Sequence, residues 1–228
     1  MGKVSEIRRD TFMKALVIFS GGLDSTTALY WAKAHYDAVK AVHFAYGSNH
    51  QQQEGNAAQA IADALKIELV KIPLDFIGKH FKSALLGGTI PDGQYEADNM
   101  SSTIVPFRNG IMLSIAAGLA DSLGIDDVIL GNHGGDHFIY PDCRPGFITD
   151  MNAAIQAGTD KAVQIVSPFC NMSKAGIVEM GALLGVDFSK TYSCYKGGAQ
   201  HCGTCGTCLE RKEAFKAAGV KDPTIYLN

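Results

Sequence analysis

The chain has 228 residues, 46% hydrophobic and 19% charged, which is enough apolar material to bury a full core as one domain with a small appendage. A formal net charge of −3 with no long lysine or arginine block argues against a dedicated nucleic-acid binder. No apolar run is long enough to span a bilayer, and the charged residues 1–12 lack the apolar core of a secretory signal. A cytoplasmic location without a membrane partner is therefore expected, and residues 1–12 are read as an N-terminal extension.

From residue 13 onward, short apolar runs alternate with helical patterns. Residues 15–19 form an unbroken apolar strand, followed by Ser20-Gly21-Gly22-Leu23-Asp24-Ser25 and a first helix beginning near Thr26. A strand, a glycine turn and a helix N-terminus together make an anion site, because glycines let the backbone approach a phosphate and freed N–H groups face it. Ser20, Ser25, Thr26 and Thr27 add hydroxyls; the alternative is an ordinary tight β–α turn. The string is not a Walker A loop, since no lysine follows it. It resembles instead the pyrophosphate loop of the N-type ATP pyrophosphatases, which activate an acceptor by transferring AMP.

Strands are expected at residues 38–46, 68–72, 127–130 and 163–166, and helices at 51–65, 111–123, 148–157 and 174–184. Residues 75–100, with Gly87-Gly88, Pro91 and Gly93, read as a helix-poor loop. This alternation predicts an α/β fold with a doubly wound parallel sheet over residues 13–190, followed by a small C-terminal segment at 191–228. Ligands of such sheets bind beyond the carboxyl ends of the strands.

Two central motifs follow strand or loop endings. Val105-Pro-Phe-Arg-Asn109 places Arg108 beside a helix start, with Asn109 as the expected N-cap. Gly131 to Arg144 is dense in polar side chains, and Asp136, Tyr140, Asp142 and Arg144 suit a small polar, purine-like ligand; a solvated loop with internally paired charges is the alternative. His133 and His137 read as loop histidines.

Cys202, Cys205 and Cys208 recur at a spacing of three, preceded by Cys194. Four thiolates fill the tetrahedral sphere of one Zn²⁺ and leave no open position, which makes a structural site that staples the C-terminal segment. An iron–sulfur cluster and a redox pair are the alternatives. His201 is read as a bystander.

Taken in order, SGGLDSTT, Tyr46-Gly47, VPFRN, YPDCR, Ser167-Pro-Phe169 and CYKG with CGTCGTC resemble the 7-cyano-7-deazaguanine synthase family over about residues 14–215. The resemblance implies an enzyme with an adenine-nucleotide-hydrolase-like fold. Its substrates would be ATP, ammonia and 7-carboxy-7-deazaguanine, and its product a nitrile precursor of queuosine and archaeosine. It implies that Phe19, Ser20, Gly21, Gly22, Leu23, Asp24, Ser25, Thr26, Thr27, Ala28 and Leu29 bind ATP, with Asp24 placing Mg²⁺. Arg108 and Asp136 would act with Asp24 in catalysis. Tyr46, Asp136, Tyr140, Asp142 and Arg144 would lie near the deazaguanine, and Cys194, Cys202, Cys205 and Cys208 would bind Zn²⁺. A homodimer is compatible with it, and no direct nucleic-acid contact is implied. The chain departs from the common pattern at Ala45, Ser48 and Phe107, where aspartate, glutamine and glycine are usual. The alternatives are a tRNA-thiolating enzyme of the same superfamily and a non-catalytic zinc-bearing module. The first needs a sulfur-carrying thiol and a basic RNA groove; the second has no use for an ATP loop.

Overall fold

The computed structural model describes residues 12–227, so all but the last residue of the expected N-terminal extension lies outside the described residues. Five strands, β1 (Lys14–Ile18), β2 (Ala38–Ala45), β3 (Leu69–Pro73), β4 (Asp127–Ile129) and β5 (Gln164–Val166), form one sheet in the order β3-β2-β1-β4-β5. Every pairing is parallel, with Val17 opposite Ala41 on one side and Ile129 on the other. Parallel neighbours need long crossovers, and these supply the helices that bury both faces.

The helices are α1 (Leu23–His35), α2 (Gln51–Leu65), α3 (Asp75–His80), α4 (Ala97–Met100), α5 (Arg108–Leu123), α6 (Pro145–Gly158), α7 (Lys174–Leu183) and α8 (Gly206–Ala217). Alternation along β1 sends Ala15 and Val17 into a core with Leu29 of α1, Ile61 of α2, Ile177 of α7 and Phe215 of α8. Leu16 points the other way, into a core with Leu113 and Ala117 of α5 and Ile148 of α6. The sheet is thus doubly wound, as its sequence pattern predicts. The chain steps outward from β1 to β3 and then returns to the opposite side of β1 as β4. That reversal opens a crevice at the carboxyl ends of β1 and β4.

Some helices differ from the sequence expectation. Helix α1 begins at Leu23, so Asp24 lies in its first turn, where a carboxylate complements the helix dipole. Helix α5 begins at Arg108 and its N-cap is Phe107, not Asn109. Asn109 sits inside the first turn, and its backbone N–H donates to Asp142 Oδ2 at 2.8 Å, a cap supplied from a distant loop. Helix α8 is unanticipated; the run CLERKEAFKA holds good helix formers, but its apolar positions are few and its burial comes from packing on α7. Residues 75–100 are helix-poor as expected, with only the short α3 and α4.

Arg211 of α8 is wholly buried yet fully engaged. Its guanidinium donates to Thr191 Oγ1 (2.8 Å), Ser193 Oγ (3.0 Å) and the Phe188 carbonyl (3.0 Å), and its Nε lies 3.3 Å from Asp222 Oδ1. This clasp fastens the C-terminal segment to the stretch that leads into the cysteine cluster.

Candidate active site

A cavity of about 200 Å³ occupies the crevice, lined by Ile18, Phe19, Ser20, Gly22, Leu23, Asp24 and Ser25 on one side and by Leu130, Gly131, Asn132, Asp136 and Tyr140 on the other. The glycine turn is braced by its own serines. Ser25 Oγ donates to the Gly22 carbonyl at 3.2 Å and accepts from Ser20 N–H at 3.2 Å, while Gly22 N–H donates to Ser20 Oγ at 3.1 Å. Gly21 turns with φ 86°, the left-handed region that favours glycine. Of the other residues expected to bind ATP, Thr26, Thr27, Ala28 and Leu29 are buried inside α1 and build the turn's support rather than its surface.

At the mouth of the turn lies an ionic cluster. Lys174, at the start of α7, places Nζ 2.6 Å from Asp24 Oδ2, 3.1 Å from Glu210 Oε2 and 3.3 Å from His133 Nε2. His133 Nε2 is in turn 3.4 Å from Asp136 Oδ1, which accepts from Tyr95 Oη at 2.9 Å. Burial alone would drive the Lys174 ammonium toward its neutral form, but the charges of Asp24, Glu210 and Asp136 outweigh it and hold the pKa above the usual lysine value. Asp24 Oδ1 is buried and has no hydrogen-bond partner among the described residues. A carboxylate oxygen left open beside a phosphate-shaped turn suits a hard cation such as Mg²⁺.

Arg108 faces the same cavity, donating from Nη1 to Tyr46 Oη at 2.9 Å and lying over the Tyr46 ring. No carboxylate within 4.0 Å pairs with it among the described residues, so its remaining donors are available to an anion. Phe107, just before it, holds a left-handed φ of 53°. Glycine is the residue that such a φ favours; here the Phe107 ring packs edge-on against Phe147.

The motif between Gly131 and Arg144 divides in two. Asp136 and Tyr140 line the cavity together with Tyr46. Asp142 and Arg144 do not. Asp142 is buried as the cap of α5, and Arg144 is exposed, its Nε donating to the His137 carbonyl at 3.0 Å. Of the residues expected near the deazaguanine, these two stand outside the lining of this cavity, beyond Tyr140 across the 3₁₀ turn at Pro141–Cys143.

Cys194, Cys202, Cys205 and Cys208 are all buried, and their sulfurs lie within 4.8 Å of one another. The Cys202 and Cys208 sulfurs are 3.9 Å apart, against about 3.8 Å expected for the edge of a sulfur tetrahedron around one ion with a metal–sulfur distance of about 2.3 Å. Backbone N–H groups of Thr204 and Cys205 point at Cys202 Sγ from 3.4 and 3.3 Å, which favours a thiolate there. The donor set therefore fits one closed metal site. His201 stands outside it, accepting from Ser193 N–H at 2.9 Å. The cluster also borders the cavity, through Ser193, Tyr195, Thr207 and Glu210.

Lys174, Glu210, His50 and Glu54 line the cavity and carry no motif signal in the sequence. Lys174 follows Ser173, which caps α7 through Gly176 N–H, so spacing alone reads it as a first-turn surface lysine.

The family model described as "Queuosine biosynthesis protein QueC" matches residues 14–219. A 7-cyano-7-deazaguanine synthase of Porphyromonas gingivalis is 51% identical over 214 residues, covering 93% of this chain and 96% of that protein. One of Desulfotalea psychrophila is 46% identical, covering 93% of this chain and 98% of that protein. Among solved structures, NMN synthetase from Francisella tularensis shares the fold with a TM-score of 0.51 at 17% identity, covering 93% of this chain and 79% of that one. A match of this extent shows that the chain belongs to the queuosine-biosynthesis QueC family, the family of the 7-cyano-7-deazaguanine synthases.

Proposed function

We propose that this chain converts 7-carboxy-7-deazaguanine and ammonia into 7-cyano-7-deazaguanine, using ATP to activate first the acid and then the derived amide. The observation that carries this reading is the meeting, in one cavity, of the 20–25 turn with Arg108, Asp136 and Tyr140 in a member of this family.

A carboxylate resists attack because it is anionic and has no acceptable leaving group. Transfer of AMP to it supplies that leaving group, and a second activation lets the amide lose its oxygen as the nitrile forms. The chain's part is positioning and charge stabilisation, so no cysteine or serine nucleophile is needed. The backbone of Ser20 to Ser25 cradles the departing phosphates, and Lys174 neutralises the charge that develops on them. Asp24, with Oδ1 open, is the group to hold Mg²⁺, which when bound neutralises phosphate oxygens. Arg108 holds the anionic oxygens of the acid while they are activated. Asp136 accepts from the N–H edge of the base, and Tyr140 and Tyr46 bound its ring. Asp142 serves this site by fixing the helix start that carries Arg108.

Zn²⁺ is the ion assigned to Cys194, Cys202, Cys205 and Cys208. The close sulfur spacing supports a single ion over a multi-iron cluster, whose metals would spread the ligands wider.

Purified protein incubated with ATP, Mg²⁺, ammonium and 7-carboxy-7-deazaguanine, and followed by mass spectrometry, tests the reading. The nitrile and two AMP per nitrile are expected. Accumulation of amide alone would restrict the activity to its first half, and unchanged acid would refute the acceptor.

A further inference from the structure

We infer that the Glu54 carboxylate and the unpartnered Nδ1 of His50 form the site that receives ammonium and releases it as ammonia to the activated acyl group. This rests on the reaction proposed above and assigns it a residue for proton removal.

Glu54 lies in the first turn of α2, with His50 immediately before that helix. The turn packs directly on the phosphate loop: a Cβ placed on Gly21 would stand 2.8 Å from the Glu54 carbonyl oxygen. Both side chains line the cavity that holds the loop. His50 is 2% exposed, its ring stacked on Tyr195 with centroids 5.0 Å apart. Its Nε2 lies 3.5 Å from Glu54 Oε2, while its Nδ1 has no hydrogen-bond partner among the described residues. An imidazole with its Nε2 proton toward the carboxylate keeps a lone pair on Nδ1.

Glu54 has no lysine or arginine within 4.0 Å among the described residues, and Lys174, which also lines the cavity, is taken by Asp24 and Glu210. A buried carboxylate without a cation is costly, and the cost vanishes when a cation arrives. The groups that face Glu54 are His50 at the start of its own helix, Arg108 on α5 and Tyr46 beyond β2. Burial raises the Glu54 carboxyl to about 8 against the pull of Arg108, and burial together with Arg108 holds His50 down at about 4. His50 is therefore a neutral acceptor at working pH, and Glu54 exchanges a proton in the range where a base is most useful.

Ammonium is the cation that the reaction itself brings. It carries one charge and N–H donors on every side, and it meets two acceptors here. When the acid's oxygens engage Arg108, the field at Glu54 turns further in favour of a cation. The Glu54 carboxylate then takes one proton from ammonium, and the freed lone pair attacks the acyl carbon. The carbon–nitrogen bond forms as the carbon–oxygen bond to AMP breaks, AMP leaves with that electron pair, and the second proton shed by nitrogen passes to water.

The test compares wild type with Glu54→Gln and Glu54→Asp in three assays using ATP and 7-carboxy-7-deazaguanine. These are acid-dependent ATP–pyrophosphate exchange, amide formation from ammonium across pH, and hydroxamate formation from hydroxylamine. Hydroxylamine is a weaker base that is largely unprotonated at neutral pH and needs no base to release it. For Glu54→Gln, exchange and hydroxamate formation are expected to stay within about threefold of wild type, while amide formation from ammonium falls by about 10²-fold or more. Glu54→Asp is expected to recover part of that loss, and the wild-type rise in amide formation through pH 8 is absent in Glu54→Gln beyond the rise in free ammonia. Equal losses with ammonium and hydroxylamine, or an unchanged ammonium rate, would overturn the proposal. Absence of exchange in the wild-type protein would instead overturn the reaction reading, and the ammonium site with it.

Discussion

Lys174 Nζ and Asp24 Oδ2 stand 2.6 Å apart although 150 residues separate them in the chain. The pair joins the first turn of α7 to the first turn of α1 and sets a cation at the mouth of the glycine turn. Replacing Lys174 by methionine removes that cation and leaves Asp24 and Glu210 facing each other uncompensated. ATP–pyrophosphate exchange is expected to fall by about 10²–10³-fold, as when one preorganised charge-stabilising donor is lost. Isotope exchange measures it, and a loss of less than tenfold would remove Lys174 from the phosphate site.

Gly21 tests the turn itself. With φ at 86°, a side chain there is strained, and its Cβ would meet Ala58 N at 2.6 Å and the Glu54 carbonyl oxygen at 2.8 Å. Both are backbone atoms, so no side-chain rotation relieves the clash. Gly21→Ala is expected to lose at least about 1–2 kcal/mol from the left-handed conformation alone. It should also abolish the rise in melting temperature that ATP gives the wild type, as read by differential scanning fluorimetry.

Loss of a metal from the four-cysteine cluster would reach further than the cysteines themselves. Cys205 and Cys208 open α8, and Glu210 follows on the same helix to contact Lys174. Cys208→Ser is expected to destabilise the fold by at least about 3 kcal/mol, because metal binding contributes directly to folding free energy. At this chain length that corresponds to a fall in Tm of roughly 6–12 °C. Elemental analysis should find one zinc per wild-type chain, and a chelator should reproduce the fall in Tm.

The Arg211–Asp222 clasp gives a pH signature. Burial pushes the Asp222 carboxyl up, but the Tyr226 hydroxyl, the Arg211 charge and the Thr224 N–H more than reverse this and leave its pKa below the usual aspartate value. A carboxyl depressed in the folded state stabilises the fold fully above its unfolded value of about 3.9, and that stabilisation is lost as pH falls through the lower folded value. Arg211→Ala is expected to cost about 3–5 kcal/mol near neutrality, the range for breaking a buried pair. Urea titrations should show that cost shrinking below about pH 4 as Asp222 is protonated in both states.

What was legible from sequence is what local patterns encode. The apolar run at β1, the glycine turn and the helix behind it specify strand, turn and helix within a dozen residues, and four cysteines at short spacings can meet without help from the rest of the chain. The parallel doubly wound class follows from the alternation. That Asp136 and Tyr140 line the cavity was legible for a similar reason, since they follow a strand end where such sheets place ligands.

Asp142 and Arg144, two and four residues past Tyr140, share its composition but not its direction, because a single 3₁₀ turn sends one into a helix cap and the other into solvent. Lys174, Glu210, His50 and Glu54 belong to helix starts whose local sequences read as solvated. Only the placement of β4 beside β1, together with the packing of α2, α7 and α8 on the same face, brings them to one cavity. The sequence by itself determined most of the elements, the glycine turn and the cysteine cluster, because periodicity and spacing act over a few residues. The tertiary structure decided which charges meet, because strand order and crossovers connect positions that no local pattern relates.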